Sequence, residues 1–504
     1  MSDSILRRFG STLMTNAISS GVSFTATLII ARGLGPQIFG DYAFLIASFA
    51  ALNTWLELGT PTAFYTFLSK SRDARAHAAL YLAWLAFRLV LVAAAIALLP
   101  HQWLDRVWLG HSRGLVLGAF GAFFASVVVR GYLVQLAEST RKTVFIQSAI
   151  AVLSLTHLTL VVFLRLSGML SVPALFGLIV FEYAVLASWF ALRFDRGLLD
   201  SGAETPDWRA LTARYAKYCA PLALYAALGF VADFGDRWLL QRFGGSVQQG
   251  YFSLGYQFAT IALLTTTSLL NIFWKEIAAA EELADRARAR DLYNRASRLL
   301  FFVAAAGGCF LAPHSRALLN VTAGAGFSDA APVLALMLLY PAFQSLSQLN
   351  GAFFYATEDT RTHVSISSIG LAVGLPLTYL TLAPRDAAIP GLALGAVGLA
   401  ARLWLVQAAI VSLQCAVVRR RLGSEIGPSY HWVTLFLLGS LGAAAAAFGN
   451  LASRGLVLAR PDLWAVLFSI VPFIAGLAAL AWFFPSRVGA DRAHIDRILR
   501  WRLS

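Results

Sequence analysis

The stretch "ESTRKTVFIQSA", Glu138–Ala149, has an echo later in the chain, "EDTRTHVSISSI", Glu358–Ile369. A charged corner between apolar runs, written twice, points to a duplicated structural unit. Sliding the sequence by 220 residues pairs Gly131 with Gly351, Glu138 with Glu358, Thr140 with Thr360, Arg141 with Arg361 and Ser148 with Ser368. Sliding it by 209 pairs Gly35 with Gly244, Tyr42 with Tyr251, Leu45 with Leu254, Phe49 with Phe258 and Ala50 with Ala259. The two matches keep one order and differ by a loop insertion, which implies two halves of six helices each. Because six is even, the copies share one orientation and are related by an axis along the membrane normal, an arrangement common where a site lies between halves. The corner is read first as a topological turn on the inner side.

Composition places these helices in a bilayer. Of 504 residues, 58% are hydrophobic and 13% charged, against roughly 25% charged in a typical soluble domain. Windows of about 20 apolar residues, enough to span the hydrocarbon core, recur along nearly the whole length. Fourteen spans are predicted, near 11–31, 39–59, 78–99, 114–136, 143–164, 170–192, 216–240, 250–273, 299–319, 331–357, 362–382, 391–413, 432–452 and 463–484. The expected fold is therefore an all-α polytopic membrane protein of about 14 transmembrane helices. Residues 1–192 form an N-terminal six-helix lobe, 193–215 a cytoplasmic linker, 216–413 a C-terminal six-helix lobe, and 414–504 two additional spans with a basic tail.

The net charge of +14 would point to nucleic acid in a soluble protein. Here its placement along the chain decides the reading. With the amino terminus inside, about 27 Lys and Arg fall in inner segments and about 9 in outer loops, a bias of the size the positive-inside rule expects. Both termini are thus expected in the cytoplasm and no nucleic-acid partner is expected. The basic start "MSDSILRRFG" is read as part of the first span, because no convincing small-residue cleavage site precedes the next one. Cys219, Cys309 and Cys415 are far apart and beside apolar windows, so they are expected to pack. No Gly-Lys pair occurs, which excludes a phosphate loop of the ATPase type. The eight histidines lack metal-ligand spacing, and His157 is read as a packed or hydrogen-bonded side chain. No cofactor or metal is expected.

At "ARGLGPQIFGDYAFLIASFAALNTWLELGTP", Ala31–Pro61, and "DRWLLQRFGGSVQQGYFSLGYQFA", Asp236–Ala259, the chain resembles the polysaccharide transporters of the multidrug/oligosaccharidyl-lipid/polysaccharide flippase superfamily, the group containing O-antigen flippases. Gly35, Pro36, Gly40 and Tyr42 resemble the first-loop pattern, Glu57–Gly59 its acidic, apolar and glycine triplet, and Asp236, Gly244 and Tyr251 the seventh and eighth helices. The resemblance covers about 410 residues, the last two spans being a common accessory. It implies movement of polyprenyl-pyrophosphate-linked sugar chains from the inner to the outer leaflet of a bacterial inner membrane. Membrane lipids, a polysaccharide polymerase and chain-length assembly proteins are the partners it implies.

Ionisable groups inside spans cost several kcal/mol unless paired or hydrated, so they are candidate functional residues. Arg88, Arg402 and Glu182 lie near the middle of their spans, and Arg130 nearer an inner end. Arginine forks suit a pyrophosphate, which makes Arg88, Arg130, Arg237 and Arg402 candidate substrate contacts. Asn350, the partner of Arg130 under the 220 shift, joins them. An Arg88–Glu182 ion pair, or snorkelling to an interface, is the plainer alternative. Asp233 stands four residues before Arg237 on one helical face and can neutralise it. Asp236 is then left to titrate, so Asp233, Asp236, Glu182 and Glu57 are candidates for coupling or ion pairing. Gly121 and Pro341, matched in the fourth span of each half, are candidate hinges. Asn16, Asn53, Gln257 and Asn271 either line a sugar path or hold helices together.

Three functions compete. A lipid-linked oligosaccharide flippase leads, which is a transporter and not an enzyme. A multidrug or small-molecule antiporter of the same superfamily would carry fewer buried arginines, since like charges repel its cations. A polytopic polysaccharide polymerase would need a large outer loop, and the outer loops here are short. The linker "KEIAAAEELADRARARDLYNRASR" from Lys275 is expected to be amphipathic and to lie on the inner membrane surface.

Overall fold

The computed structural model describes residues 3–70, 74–194, 207–283, 285–454 and 461–488. Most of the predicted linker, at 195–206, and the basic tail beyond 488 lie outside the described residues, as do the side chains of Asn271 and Lys275. Among the described residues the chain is helical, without strands. Helices satisfy all their backbone polar groups within one segment, which a bilayer demands. Contacts divide the chain into two units, residues 1–250 and 251–504.

The first unit contains α1 (Asp3–Glu57), α2 (Thr60–Lys70), α3 (Ala74–Leu98), α4 (His101–Trp108), α5 (Arg113–Phe123), α6 (Arg130–Ser139), α7 (Thr143–Leu166) and α8 (Val172–Arg193). It also holds the first part of α9 (Trp208–Glu282). The second continues with α10 (Arg286–Leu311), α11 (Ser315–Thr322), α12 (Ala331–Ala356), α13 (Thr360–Leu382), α14 (Gly395–Leu422), α15 (Pro428–Arg454), α16 (Pro461–Phe483) and α17 (Pro485–Val488).

Among the described residues, eleven helices are long and apolar enough to cross a membrane. One of these, α1, is broken at Gly35 (φ 73°, ψ 171°), and the 75-residue α9 is broken in the same way at Gly245 (φ 76°, ψ 179°). The ten others and the two halves of α1 account for twelve of the expected spans, and α9 runs where the seventh and eighth were expected. Both breaks need a left-handed φ that only glycine adopts without cost. Side chains such as Leu98, Leu192, Phe436 and Val471 stand largely exposed on this surface, as helices facing lipid require. Within the first unit, α1 packs on α7 and α5, and α5 on α8. The core there is aromatic, with Phe64 stacked on Tyr81 at 4.4 Å between centroids. In the second unit α12 lies between α10 and α14, and α15 packs on α16.

One expectation is corrected. The break in α9 is at Gly245, one residue beyond Gly244, so the first-hairpin repeat carries a one-residue offset from the sequence alignment. Span two ends where expected: α1 stops at Glu57, Leu58 and Gly59 take left-handed φ values, and α2 follows with Ala63 and Phe64 fully buried. Glu57 is therefore the last residue of α1, just before the two-residue turn into α2. The segment from Lys275 runs through two helices. It is the end of α9 and the start of α10, where the Asp285 side chain accepts from the Arg288 amide at 3.0 Å and caps the helix.

Candidate functional site

The polar groups of the first unit gather in three places. Between α1 and α3, the Arg88 guanidinium donates to the Asn53 side-chain carbonyl, and the Asn53 amide donates to Glu57 at 2.8 Å. Asparagine can do both because it carries an acceptor and a donor. Arg88 is 3% exposed, and the adjoining cavity, about 10 Å³, is walled by Phe49, Leu52, Val92, Phe120 and Phe124. Here Arg88 reaches Glu57 through Asn53 and presents little surface to a ligand.

The second place joins α6, α7 and α8. Glu182, also 3% exposed, is 2.8 Å from His157 Nδ1, so the Arg88–Glu182 pair is replaced by a carboxylate–imidazole pair. The helices carrying Arg88 and Glu182 give each side chain a nearer partner. The other Glu182 oxygen is buried without a hydrogen bond. It borders an apolar groove of about 460 Å³ between α7 and α8. Beside it, Arg130 is exposed and lies against the Tyr183 hydroxyl. Arg130 follows a π-helical segment, Phe124–Val129, three residues past the candidate hinge Gly121. Such segments open a local register shift and often mark functional places. The sequence reading missed it.

The third place was also missed, although Asp41 lies inside the quoted loop motif. Asp41 accepts from Ser246 Oγ at 2.5 Å and from Gln241 Nε2 at 3.2 Å, and His111 Nε2 stands 3.2 Å from it. The other ring nitrogen, His111 Nδ1, faces the Trp108 carbonyl. Two acceptors on one imidazole favour its doubly protonated form. Burial lowers the pKa of His111, but the hydrogen bonds to Asp41 and Trp108 and the charge of Asp41 outweigh it, and the net direction is upward. Beside this network the backbones touch. A Cβ on Gly40 would stand 1.8 Å from the Ser246 carbonyl oxygen, and one on Gly250 would stand 2.2 Å from that of Pro36.

Farther along α9, Asp236 is buried, Asp233 exposed and Arg237 half-buried, and each has a partner. In the second unit Arg402 is buried, and its Nε donates to the Gly374 carbonyl at 2.9 Å, two residues before the proline that interrupts α13. Asn350 is 0% exposed: it accepts from Tyr293 at 2.7 Å and lies 3.5 Å from Gln414 and Cys415. Pro341 is buried within α12. Of the sequence candidates, the structure brings together Arg88 with Glu57 through Asn53. It holds Arg402 and Asn350 among the helices of the second unit. Among the described residues no three His, Cys, Asp or Glu are placed to hold a metal.

With its broken helices, repeated corner and buried ionisable groups, the structure resembles in fold a solved lipid II flippase and a solved transporter of the multidrug/oligosaccharidyl-lipid/polysaccharide flippase superfamily. The structure matches one described as "Lipid II flippase MurJ, inward closed conformation" with a TM-score of 0.68 at 12% identity, over 93% of this chain and 98% of that one. It matches an inward-facing multidrug resistance MATE family transporter of that superfamily with a TM-score of 0.61 at 14% identity, over 80% and 94%. These likenesses are of fold. By sequence, the chain belongs to the polysaccharide biosynthesis protein family, whose pattern covers residues 5–272. No protein of curated function matches it.

Proposed function

We propose that this protein is a flippase that carries a polyprenyl-pyrophosphate-linked oligosaccharide across the bacterial inner membrane, for O-antigen, capsule or exopolysaccharide assembly. The observation that carries the reading is the polysaccharide biosynthesis family match over residues 5–272, on a fold whose whole length resembles that of a lipid II flippase. The expected division is two six-helix lobes, 1–192 and 216–413, joined by the linker 193–215, with two accessory spans after them. Both termini face the cytoplasm. The close contact of Gly40 with Ser246 and of Gly250 with Pro36, braced by Asp41 and His111, acts in this reading as a closed outer end. Opening it, with Gly121 and Pro341 as hinges, would release the sugar chain outward. Arg88, Arg130, Arg237, Arg402 and Asn350 are the proposed substrate contacts, made available as the helices rearrange. Polymerase and chain-length proteins would take up the product.

The test is deletion of the gene, followed by analysis of polyprenyl-linked sugars for length and leaflet. Complete, unpolymerised repeat units accumulating on the cytoplasmic side are expected. Unchanged lipid-linked pools would sink the assignment in favour of an antiporter, and units reaching the outer leaflet unjoined would indicate a polymerase.

A further inference from the structure

A separate concentration of charge lies at one end of the second unit. α14 finishes in Arg419, Arg420 and Arg421, and residues 423–427 lead into α15. Guanidinium groups from three helices converge on this connection. Arg487 of α17 is 4.8 Å from the Tyr430 ring centroid and donates to the Tyr430 carbonyl at 3.3 Å, while the Tyr430 hydroxyl donates to the Arg487 carbonyl at 2.8 Å. Arg298 of α10 is 5.8 Å from the same ring. Arg419 Nη1 lies 2.7 Å from where a Cβ on Gly427 would stand, and Arg290 Nη1 lies 3.9 Å from the same point on Gly423.

Neighbouring arginines have acids: Arg421 has Asp359, Arg295 has Asp291 and Arg288 has Glu276. The convergent group has, among the described residues, only Glu425, 3.9 Å from Arg298 and 85% exposed. A solvated contact of that length offsets little repulsion. The first turn of α15 adds its own partial positive charge, with no acidic residue to balance it. The arginines therefore form a site for an anion. Below them runs an apolar surface, with Val433 and Phe436 exposed on α15 and Phe483 and Phe484 exposed at the end of α16. Cations above exposed hydrocarbon-facing side chains, at the ends of membrane-length helices, match an amphiphile whose head is a phosphate and whose body is alkyl.

We propose that Arg298, Arg419 and Arg487, with Arg290 at the edge, bind the phosphate of an anionic phospholipid. The site follows from the side chains; its assignment to the cytoplasmic leaflet rests on the orientation given under Proposed function.

The test uses the purified full-length protein in neutral detergent, titrated with phosphatidylglycerol and read by native mass spectrometry and thermal unfolding. Phosphatidylcholine is the zwitterionic control, and a polyprenyl pyrophosphate is the competitor. Phosphatidylglycerol should stay bound and raise Tm where phosphatidylcholine does not. The Arg298→Ala, Arg419→Ala double variant should bind about tenfold more weakly or worse, and the Arg420→Ala control should bind as wild type. If the double variant does not fold, salt decides on the wild type, because binding to these cations must weaken as ionic strength rises. Equal retention of both phospholipids, or salt-independent binding, overturns the proposal. So does retention of the polyprenyl pyrophosphate with no phosphatidylglycerol effect, which would give the arginines to the substrate. Lipid retention is read without transport, so this result and the flippase test can fail independently.

Discussion

His111 illustrates how one side chain sets a condition on the whole Asp41 network. Its pKa in the folded protein is raised above the ordinary value of 6.5. The stability it contributes is therefore complete below about pH 6.5 and is lost as pH rises through the raised value. Tm of the purified protein should fall across that window, and His111→Gln should flatten the fall. An unchanged slope in the variant would remove His111 from the network. Gly40 acts beside it by absence: Gly40→Val forces the backbones apart and should expose a Ser246→Cys thiol to an impermeant reagent. Asn53 is the third residue of this kind. Asn53→Ala strips Arg88 of an acceptor and Glu57 of a donor, both in a nearly closed site, and should cost about 1–3 kcal/mol of stability by thermal unfolding. Holding helices together was one of the two roles the sequence offered for Asn53, whereas those of His111 and Gly40 were not legible in it. Asp41 and His111 are seventy residues apart, and their pairing depends on how α1 and the loop after α4 meet.

At the scale of the element, the repeated corner is partly what the sequence implies. Lys142 N bonds the Ala137 carbonyl and Arg141 N that of Glu138; Asp359 N bonds Phe354 and Glu358 N bonds Tyr355 in the same pattern. This closure satisfies carbonyls that a helix end leaves orphaned. Its position differs, for Asp359 takes the place of Lys142 three residues before Thr362, which the sequence match pairs with Lys142. Glu358 is left-handed at φ 57°, whereas Glu138 remains helical and reaches Gln147 at 3.5 Å. The duplicated letters thus outlasted the duplicated roles, and letter matching recovers the turn but not its register. The two bends diverge similarly. Gly121 precedes a π-helical segment, while Pro341 interrupts α12 directly. Pro341→Ala should keep the fold and slow transport in a sugar-flipping assay; unimpaired transport would take Pro341 out of the mechanism.

For the whole molecule, spans and helical class were readable because a bilayer imposes length and apolarity on every crossing segment. The side-chain partners were not, since Glu182 chooses His157 and Arg88 chooses Asn53 by packing that no periodicity encodes. Orientation has its own test. Reporter fusions should be active on the cytoplasmic side at both ends and at the 423–427 connection, and on the outer side at the His111 loop. The contact of Gly40 with Ser246 and Gly250 with Pro36 carries a further consequence. Each glycine meets the residue equivalent to the other's neighbour, 210 positions away, as the two copies of a symmetric dimer would. In a true homodimer every mutation there would strike twice and one copy could not differ from its twin. Joined in one polypeptide, the two sides of the contact need not match: at its 210-residue offset, Tyr251 stands where Asp41 does. The contact is thus symmetric in its glycines and asymmetric in its side chains, with Asp41 held by His111, Ser246 and Gln241.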